Sequence, residues 1–346
     1  MPEYRAAVLG CGGRGRAHAA GYAAAPNARV VACADAFEET ARVLASQHAG
    51  AVVYTDYRRL LAEQRPDVVS ICTWPHLHRE MVEAAVQSGA KAIHCEKPMA
   101  PTWGDARAMH KVCAAAGVVM TFCHQRRFGA PFRIARDLLR AGEIGEIVQI
   151  EGYCPNLFDW GTHWFDMFHF YNEETPAQWV IGQIDVTEEQ TVFGVPVETS
   201  GICQVLFRND VRALLVTGQA PQSPRLAKLV ERVGIVIHGT TGRMEIATGA
   251  VRLRVCRFGH APLEPEMPAW PEATILSVQN LLECLESGAE PELSSARALR
   301  ATELIFATYE SSRRRARIVL PLETEDSALL TGLEAGYWNP QPQPPV

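Results

Sequence analysis

Ala6-Ala7-Val8-Leu9-Gly10-Cys11-Gly12-Gly13-Arg14-Gly15 decides the fold of this chain. A short apolar run enters a G-x-G-x-x-G turn, and a helical stretch, Gly15 to Ala25, leaves it. Strand, glycine-rich turn and helix in that order make the fingerprint of a dinucleotide site. Gly10 permits the tight turn, Gly12 lets the backbone approach a pyrophosphate, and Gly15 allows close packing of the helix. The pyrophosphate is expected on the amides of the helix N-terminus, beside Cys11 and Gly13. Arg14 either contacts the phosphates or points into solvent. About twenty residues on, Asp35 ends the second strand, where a carboxylate accepts both ribose hydroxyls. It repels a 2′-phosphate, and neither Ala36 nor Phe37 supplies a compensating cation, so NAD is expected rather than NADP.

Outward from this turn, apolar runs alternate with amphipathic ones: strands at Ala6 to Leu9, Arg29 to Ala34, Val68 to Cys72, Ala92 to Cys95 and Val118 to Phe122, with helices between. That rhythm predicts an N-terminal Rossmann domain, a doubly wound parallel sheet, over residues 1–123. From residue 124 the pattern turns strand-rich, with tight connections at Asn209-Asp210 and Thr240-Thr241-Gly242. Expected strands include Val230 to His238 and Val251 to Phe258. An α+β domain with a large, mostly antiparallel, open-faced sheet is expected over 124–322, followed by a tail over 323–346 that is extended or disordered from Asn339.

A length of 346 residues exceeds what one core normally supports, so two domains agree with the pattern. The net charge of −6 argues against nucleic acid as the main partner. No apolar run reaches membrane-spanning length, and the first one enters the glycine turn directly, so neither a membrane span nor a signal peptide is expected. Ten cysteines are scattered singly without zinc spacing; they read as reduced core residues of a cytoplasmic protein, and no metal is expected.

Two later segments carry chemistry. Glu96-Lys97-Pro98 follows a strand at its carboxyl end, where a doubly wound sheet presents its ligand crevice. The Lys97 ammonium can stabilise the oxygen that becomes negative as hydride departs, although a lysine at a strand end is often just a solvated charge. In Asp159-Trp160-Gly161-Thr162-His163, a helix starting at Asp159 puts His163 one turn later on the same face and continues the stripe to Asp166. A histidine there can act as a base with a carboxylate to orient it; an N-cap aspartate and a core histidine are the plainer reading.

Taken together, the Gly10 to Gly15 turn, Asp35, Thr73-Trp74-Pro75-His76-Leu77-His78, Glu96-Lys97-Pro98, Gln125-Arg126-Arg127-Phe128 with Gly142-Glu143-Ile144-Gly145, and Asp159-x-Gly161-x-His163 with Asp166 resemble the Gfo/Idh/MocA oxidoreductases over essentially the whole length. The resemblance implies that Lys97, Asp159 and His163 are catalytic and that Thr73, Pro75 and His78 line the cofactor, with Trp74, Glu96 and Gln125 beside them. Trp74 stands where a smaller residue is usual in that family, and His124-Gln125 where an Asn-containing turn is common.

The expected activity is NAD-dependent oxidation of a secondary hydroxyl of a sugar, cyclitol or amino sugar, with Arg127, Tyr153, Trp160 and Asp166 as substrate contacts. Aromatic residues such as Tyr153, Trp160 and Trp164 can pack on a sugar ring or belong to the core. Asp159, Asp166, Glu173 and Glu174 crowd one segment, and a field of that sign favours a cationic substrate; alternatively, the two glutamates sit in a solvated turn. A homodimer or homotetramer is expected through the open sheet face. A redox-neutral glycosidase or lyase with recycled NAD, and a non-catalytic NAD-binding regulator, are the rival readings.

Overall fold

The computed structural model describes residues 3–218, 234–247 and 252–341. These form two compact units: one from Met1–Pro101, Asp105–Phe128 and Pro271–Leu299, the other from Thr102–Gly104, Gly129–Trp270 and Arg300–Val346. The first unit thus runs past residue 123 and takes in a late segment, whereas the sequence reading divides the chain consecutively.

In the first unit, strands β1 (Tyr4–Leu9), β2 (Ala28–Ala34), β3 (Val52–Tyr54), β4 (Val68–Ile71), β5 (Ala92–Cys95) and β6 (Val119–Phe122) form a parallel sheet in the order β3-β2-β1-β4-β5-β6. Helices α1 (Gly13–Ala23), α2 (Glu38–Ala45), α3 (Tyr57–Gln64), α4 (Pro75–Gln87) and α5 (Trp103–Ala116) connect them. This is the doubly wound order, with its reversal between β1 and β4. A parallel sheet covered on both faces needs continuously apolar strands, and Ala6, Ala7, Val8 and Leu9 are wholly inaccessible. The helix Ala273–Ser287, distant in sequence, packs against α1, bringing Val278, Leu281 and Leu282 into one cluster with Val8, Tyr22 and Val30. A Cβ on Gly21 of α1 would lie 2.7 Å from that of Val278, so the two helices approach this closely because α1 has no side chain there.

In the second unit, α6 (Ala130–Arg140) precedes β7 (Ile147–Cys154), a π-helical turn (Leu157–Gly161) and α7 (Thr162–Tyr171). Strands β8 (Ala177–Asp185), β9 (Thr191–Val192), β10 (Val195–Pro196), β11 (Ser200–Phe207), β12 (Arg212–Gly218), β13 (Ile235–Gly239), β14 (Gly242–Ala247) and β15 (Arg252–Arg257) follow. Numbering in chain order, α8 is the first unit's helix Ala273–Ser287, then come α9 (Ser295–Arg314), β16 (Ile318–Val319) and α10 (Ala328–Glu334). The large sheet runs β15-β14-β13-β7-β12-β11-β8-β16, antiparallel except for the β7–β12 pair. Burial alternates along its central strands, so one face is covered and the other is open. All ten residues of α7 are buried, and a Cβ on Gly152 of β7 would meet Trp164 and Phe168 at 3.0 and 2.9 Å, so α7 lies directly on the sheet. The hairpin connections expected at Asn209-Asp210 and Thr240-Thr241-Gly242 join β11 to β12 and β13 to β14. Residues 230–233 and 251 of the expected strands, and 342–346 of the tail, lie outside the described residues.

Candidate functional site

The glycine turn opens onto a cavity of about 560 Å³ at the carboxyl ends of β1, β2 and β4, lined by Gly10, Gly12, Asp35, Phe37, Thr73, Trp74, Leu77 and Met81 among others. Gly10 has φ +87°, and a Cβ there would sit 2.5 Å from the Cys72 carbonyl oxygen. A Cβ on Gly15 would overlap the Gly10 carbonyl, which seats α1 against the turn. Gly12 instead faces open space, the room a pyrophosphate needs beside the first amides of α1. The Asp35 carboxylate is fixed by two backbone donors, accepting from the Cys11 N–H at 2.8 Å and from the Phe37 N–H at 3.0 Å. Among the described residues the cavity lining carries this carboxylate and no Lys, Arg or His. That lining, with a carboxylate to accept from ribose hydroxyls, fits NAD and opposes a 2′-phosphate.

Arg14, expected at the phosphates or in solvent, keeps a side chain 41% exposed while its guanidinium is held by neighbouring groups. Its Nε donates to Glu96 Oε1 at 2.6 Å, and its Nη2 reaches Cys123 Sγ and Thr274 Oγ1, each at 3.3 Å. His18 Nε2 lies 3.0 Å from the same Glu96 oxygen, and its Nδ1 lies 3.0 Å from Ser70 Oγ. Glu96, expected to contact the cofactor, is therefore buried among its own partners. An interior carboxylate needs counter-charge and donors, and Arg14 and His18 supply them. Burial opposes ionisation of Glu96, yet His18 and Arg14 hold it well below the usual carboxylate range. Lys97 directly follows, its backbone N–H 3.3 Å from Glu96 Oε2.

Of the Thr73 to His78 segment, Thr73 and the half-exposed Trp74 line the cavity. Pro75 opens α4. His78 is fully buried, its ring nitrogens 3.0 Å from the Met99 carbonyl and 3.1 Å from the Thr73 carbonyl, so it ties the loop after β4 to the loop after β5 instead of lining the cavity. Gln125 lies in a short 3₁₀ turn. Arg127 in the same turn, expected to meet substrate, has no accessible side-chain surface and pairs with Glu292 at 3.4 Å.

In the second unit Asp159, His163 and Asp166 share one continuous helical segment, but the α-helix starts at Thr162, not at Asp159. Asp159 sits inside the π turn. The Gly161 N–H donates to the Asn156 carbonyl at 2.8 Å, closing the wide turn, and Asn156 Oδ1 accepts from the Asp159 N–H at 2.7 Å. Such single-turn π segments recur at functional sites. Asn156 was not singled out from sequence; an Asn three residues before an acid at the mouth of an apolar helix is the capping signal that marks it. His163 and Asp166 are buried. Trp164, also buried, donates its indole N–H to the Tyr153 carbonyl at 2.8 Å and meets Trp160 edge to face at 6.3 Å.

Geometry bears on two expectations here. Tyr153 alternates with Gly152 along β7, so it stands on the sheet face opposite α7, where its phenol donates to Glu151 at 3.1 Å; burial and that carboxylate push its pKa up to about 12. Two members of the acidic crowd are paired with arginines. Glu173 is held by Arg136 at 3.3 Å and Arg140 at 2.7 Å, and Glu174 by Arg300 at 3.3 Å. Glu173 and Glu174 therefore add little to a field that would favour a cationic substrate.

Residues 4–124 match an oxidoreductase family with an NAD-binding Rossmann fold. Over 97% of this chain and 95% of the relative, the sequence is 26% identical to a D-apiose dehydrogenase from Paraburkholderia graminis. It is 27% identical to an inositol 2-dehydrogenase from Rhizobium meliloti over 91% of this chain and 98% of that one. Among solved structures, a levoglucosan dehydrogenase in complex with NADH and levoglucosan superposes with a TM-score of 0.78 over 92% of this chain and all of that one; at 20% identity this likeness speaks for the fold.

Proposed function

We propose, from the premise that this chain belongs to the Gfo/Idh/MocA oxidoreductases, that it is an NAD-dependent dehydrogenase oxidising a secondary hydroxyl of a sugar or cyclitol. The observation that carries the reading is the first unit's cavity, where the open Gly12, the helix amides and a fixed Asp35, in a lining that among the described residues holds no Lys, Arg or His, match the demands of NAD. The names of the D-apiose and inositol relatives, similar over nearly the whole chain, support the substrate class.

NAD, when bound, supplies the hydride acceptor. In this proposal His163 takes the hydroxyl proton, Asp159 orients His163, and Lys97 stabilises the oxygen as negative charge develops on it. Lys97 is placed by a backbone anchored through Glu96, and Asp159 by the Asn156 cap. Trp160 and Asp166 remain candidate substrate contacts.

We further propose a cytoplasmic homodimer or homotetramer. Ten free cysteines support a reducing compartment, and among the described residues no helix is long and apolar enough to cross a membrane. Ile181 and Ile202, exposed on the open face of β8 and β11, support self-association there. The function is tested by following reduced nicotinamide with a panel of sugars and inositols. Turnover with at least one member that His163→Ala abolishes supports the proposal; its absence throughout the panel counts against it.

A further inference from the structure

We propose that Glu198 is a positioning residue for the reaction: its buried carboxylate fixes the first amide of the π turn and thereby sets where Asp159 stands relative to His163. The inference rests on the reading of those two residues as the acid/base pair. Glu198 has no accessible surface and lies between β10 and β11. Its Oε1 accepts the Leu157 N–H at 2.5 Å and the Thr217 hydroxyl at 3.1 Å, and its Oε2 accepts the Tyr309 hydroxyl at 2.8 Å. Three donors from the π turn, β12 and α9 thus converge on one carboxylate.

Burying a carboxylate is costly even when it is hydrogen-bonded, and an apolar side chain of similar volume often packs there at no loss of stability. Burial indeed pushes the Glu198 carboxyl above its ordinary range. What an apolar residue cannot do is hold the Leu157 amide. The turn's own bonds use the Gly161 and Asp159 amides, and Glu198 takes the one at its start. The same short segment grips the turn a second time, since Phe158 packs in one apolar cluster with Val195 and Val197. Asp159 follows these two anchors immediately. If the start of the turn is released, the segment can tighten toward α geometry, and each residue of slippage swings a side chain by about 100° around the helix axis. Asp159 and His163, which flank the junction of the two helix types, then lose their register.

The test compares Glu198→Gln with Glu198→Asp in the full chain. Gln keeps an acceptor oxygen at the same reach without the charge; Asp keeps the charge but falls one methylene short of Leu157. Expected are kcat within about threefold of the native value for Gln and a loss of about 10- to 100-fold for Asp, the scale of a misplaced catalytic group. NAD affinity, set in the first unit, is expected to hold in both. Hydrogen exchange of residues 156–163 is expected to quicken in the Asp variant alone. A native kcat for Glu198→Asp well below its melting temperature overturns the proposal, as does an equal loss in both variants with unchanged exchange. If the Asp variant does not fold, Tyr309→Phe frees the other carboxylate oxygen and makes the same test, with a loss of about three- to tenfold expected and native kcat and exchange contradicting it. His163→Ala separates the two claims: native turnover there refutes the assigned chemistry, whereas exchange at 156–163 still reports whether Glu198 holds the turn.

Discussion

Replacing Asp35 by Asn removes one charge from the rim of the nucleotide cavity and leaves its shape intact. In the native chain the two carboxylate oxygens accept the Cys11 and Phe37 amides at 2.8 and 3.0 Å, so the charge is not free to swing away from a 2′-phosphate. Two unit charges about 4 Å apart repel by about 1 kcal/mol in water and about 4 kcal/mol at an effective dielectric of about 20. Asp35 is half-buried, and a phosphate monoester carries about −1.5 to −2 at neutral pH. A penalty against NADP of about 2–3 kcal/mol follows, which is a preference for NAD of about 30- to 150-fold. Asn retains a single acceptor oxygen for two backbone amides, so the variant also loses about 1–3 kcal/mol of stability. Calorimetric titration of both proteins with NAD and NADP measures the difference. The native protein is expected to show the full preference and Asp35→Asn a gap below about fivefold, chiefly through tighter NADP binding. Equal native affinities for the two cofactors, or a gap that survives the substitution, would show that Asp35 does not set the preference.

Lys97→Met and His163→Ala are each expected to lower kcat by about 10²- to 10⁴-fold, with NAD affinity nearly unchanged for His163→Ala; steady-state kinetics and calorimetry decide, and native turnover in the histidine variant makes that residue structural. Glu96 gives a pH prediction. Its folded-state pKa is depressed by His18 and Arg14 against the opposing effect of burial, from an ordinary value of 4.5. The stability it contributes is therefore present above about pH 4.5 and lost as pH falls toward the folded value, by up to about 1.4 kcal/mol per pH unit. The stability gap between the native protein and Glu96→Gln, from denaturant titrations, should narrow between about pH 5 and pH 3; a constant gap contradicts the pairing.

Local signals carried the reading of the first unit. The apolar strands, the glycine turn and Asp35 are contiguous or fall at a fixed spacing, and the sheet order follows from them. Helix α8 is different: its apolar stripe announces a buried face, but only the missing side chain of Gly21 shows which partner receives it. The same limit governs the candidate site. Arg14 and Arg127 look like ligand contacts because each lies beside a motif, whereas their partners Glu96 and Glu292 come from distant positions. Glu173 and Glu174 look like a free acidic field until Arg136, Arg140 and Arg300 are brought to them. The π turn was hidden because the anchor for its first amide, Glu198, lies 41 residues downstream. Charge pairing and capping across long separations leave no periodicity to read.

The activity proposed for this chain is oxidation of a sugar or cyclitol hydroxyl with NAD. The most direct measurement supplies the purified protein with NAD and individual sugars and inositols and follows both the oxidised carbohydrate and the reduced cofactor. Stoichiometric formation of the two is expected with at least one neutral substrate, dependent on Lys97 and His163. Conversion of a substrate without net reduced cofactor, or reduction that proceeds equally well in Lys97→Met and His163→Ala, would contradict it.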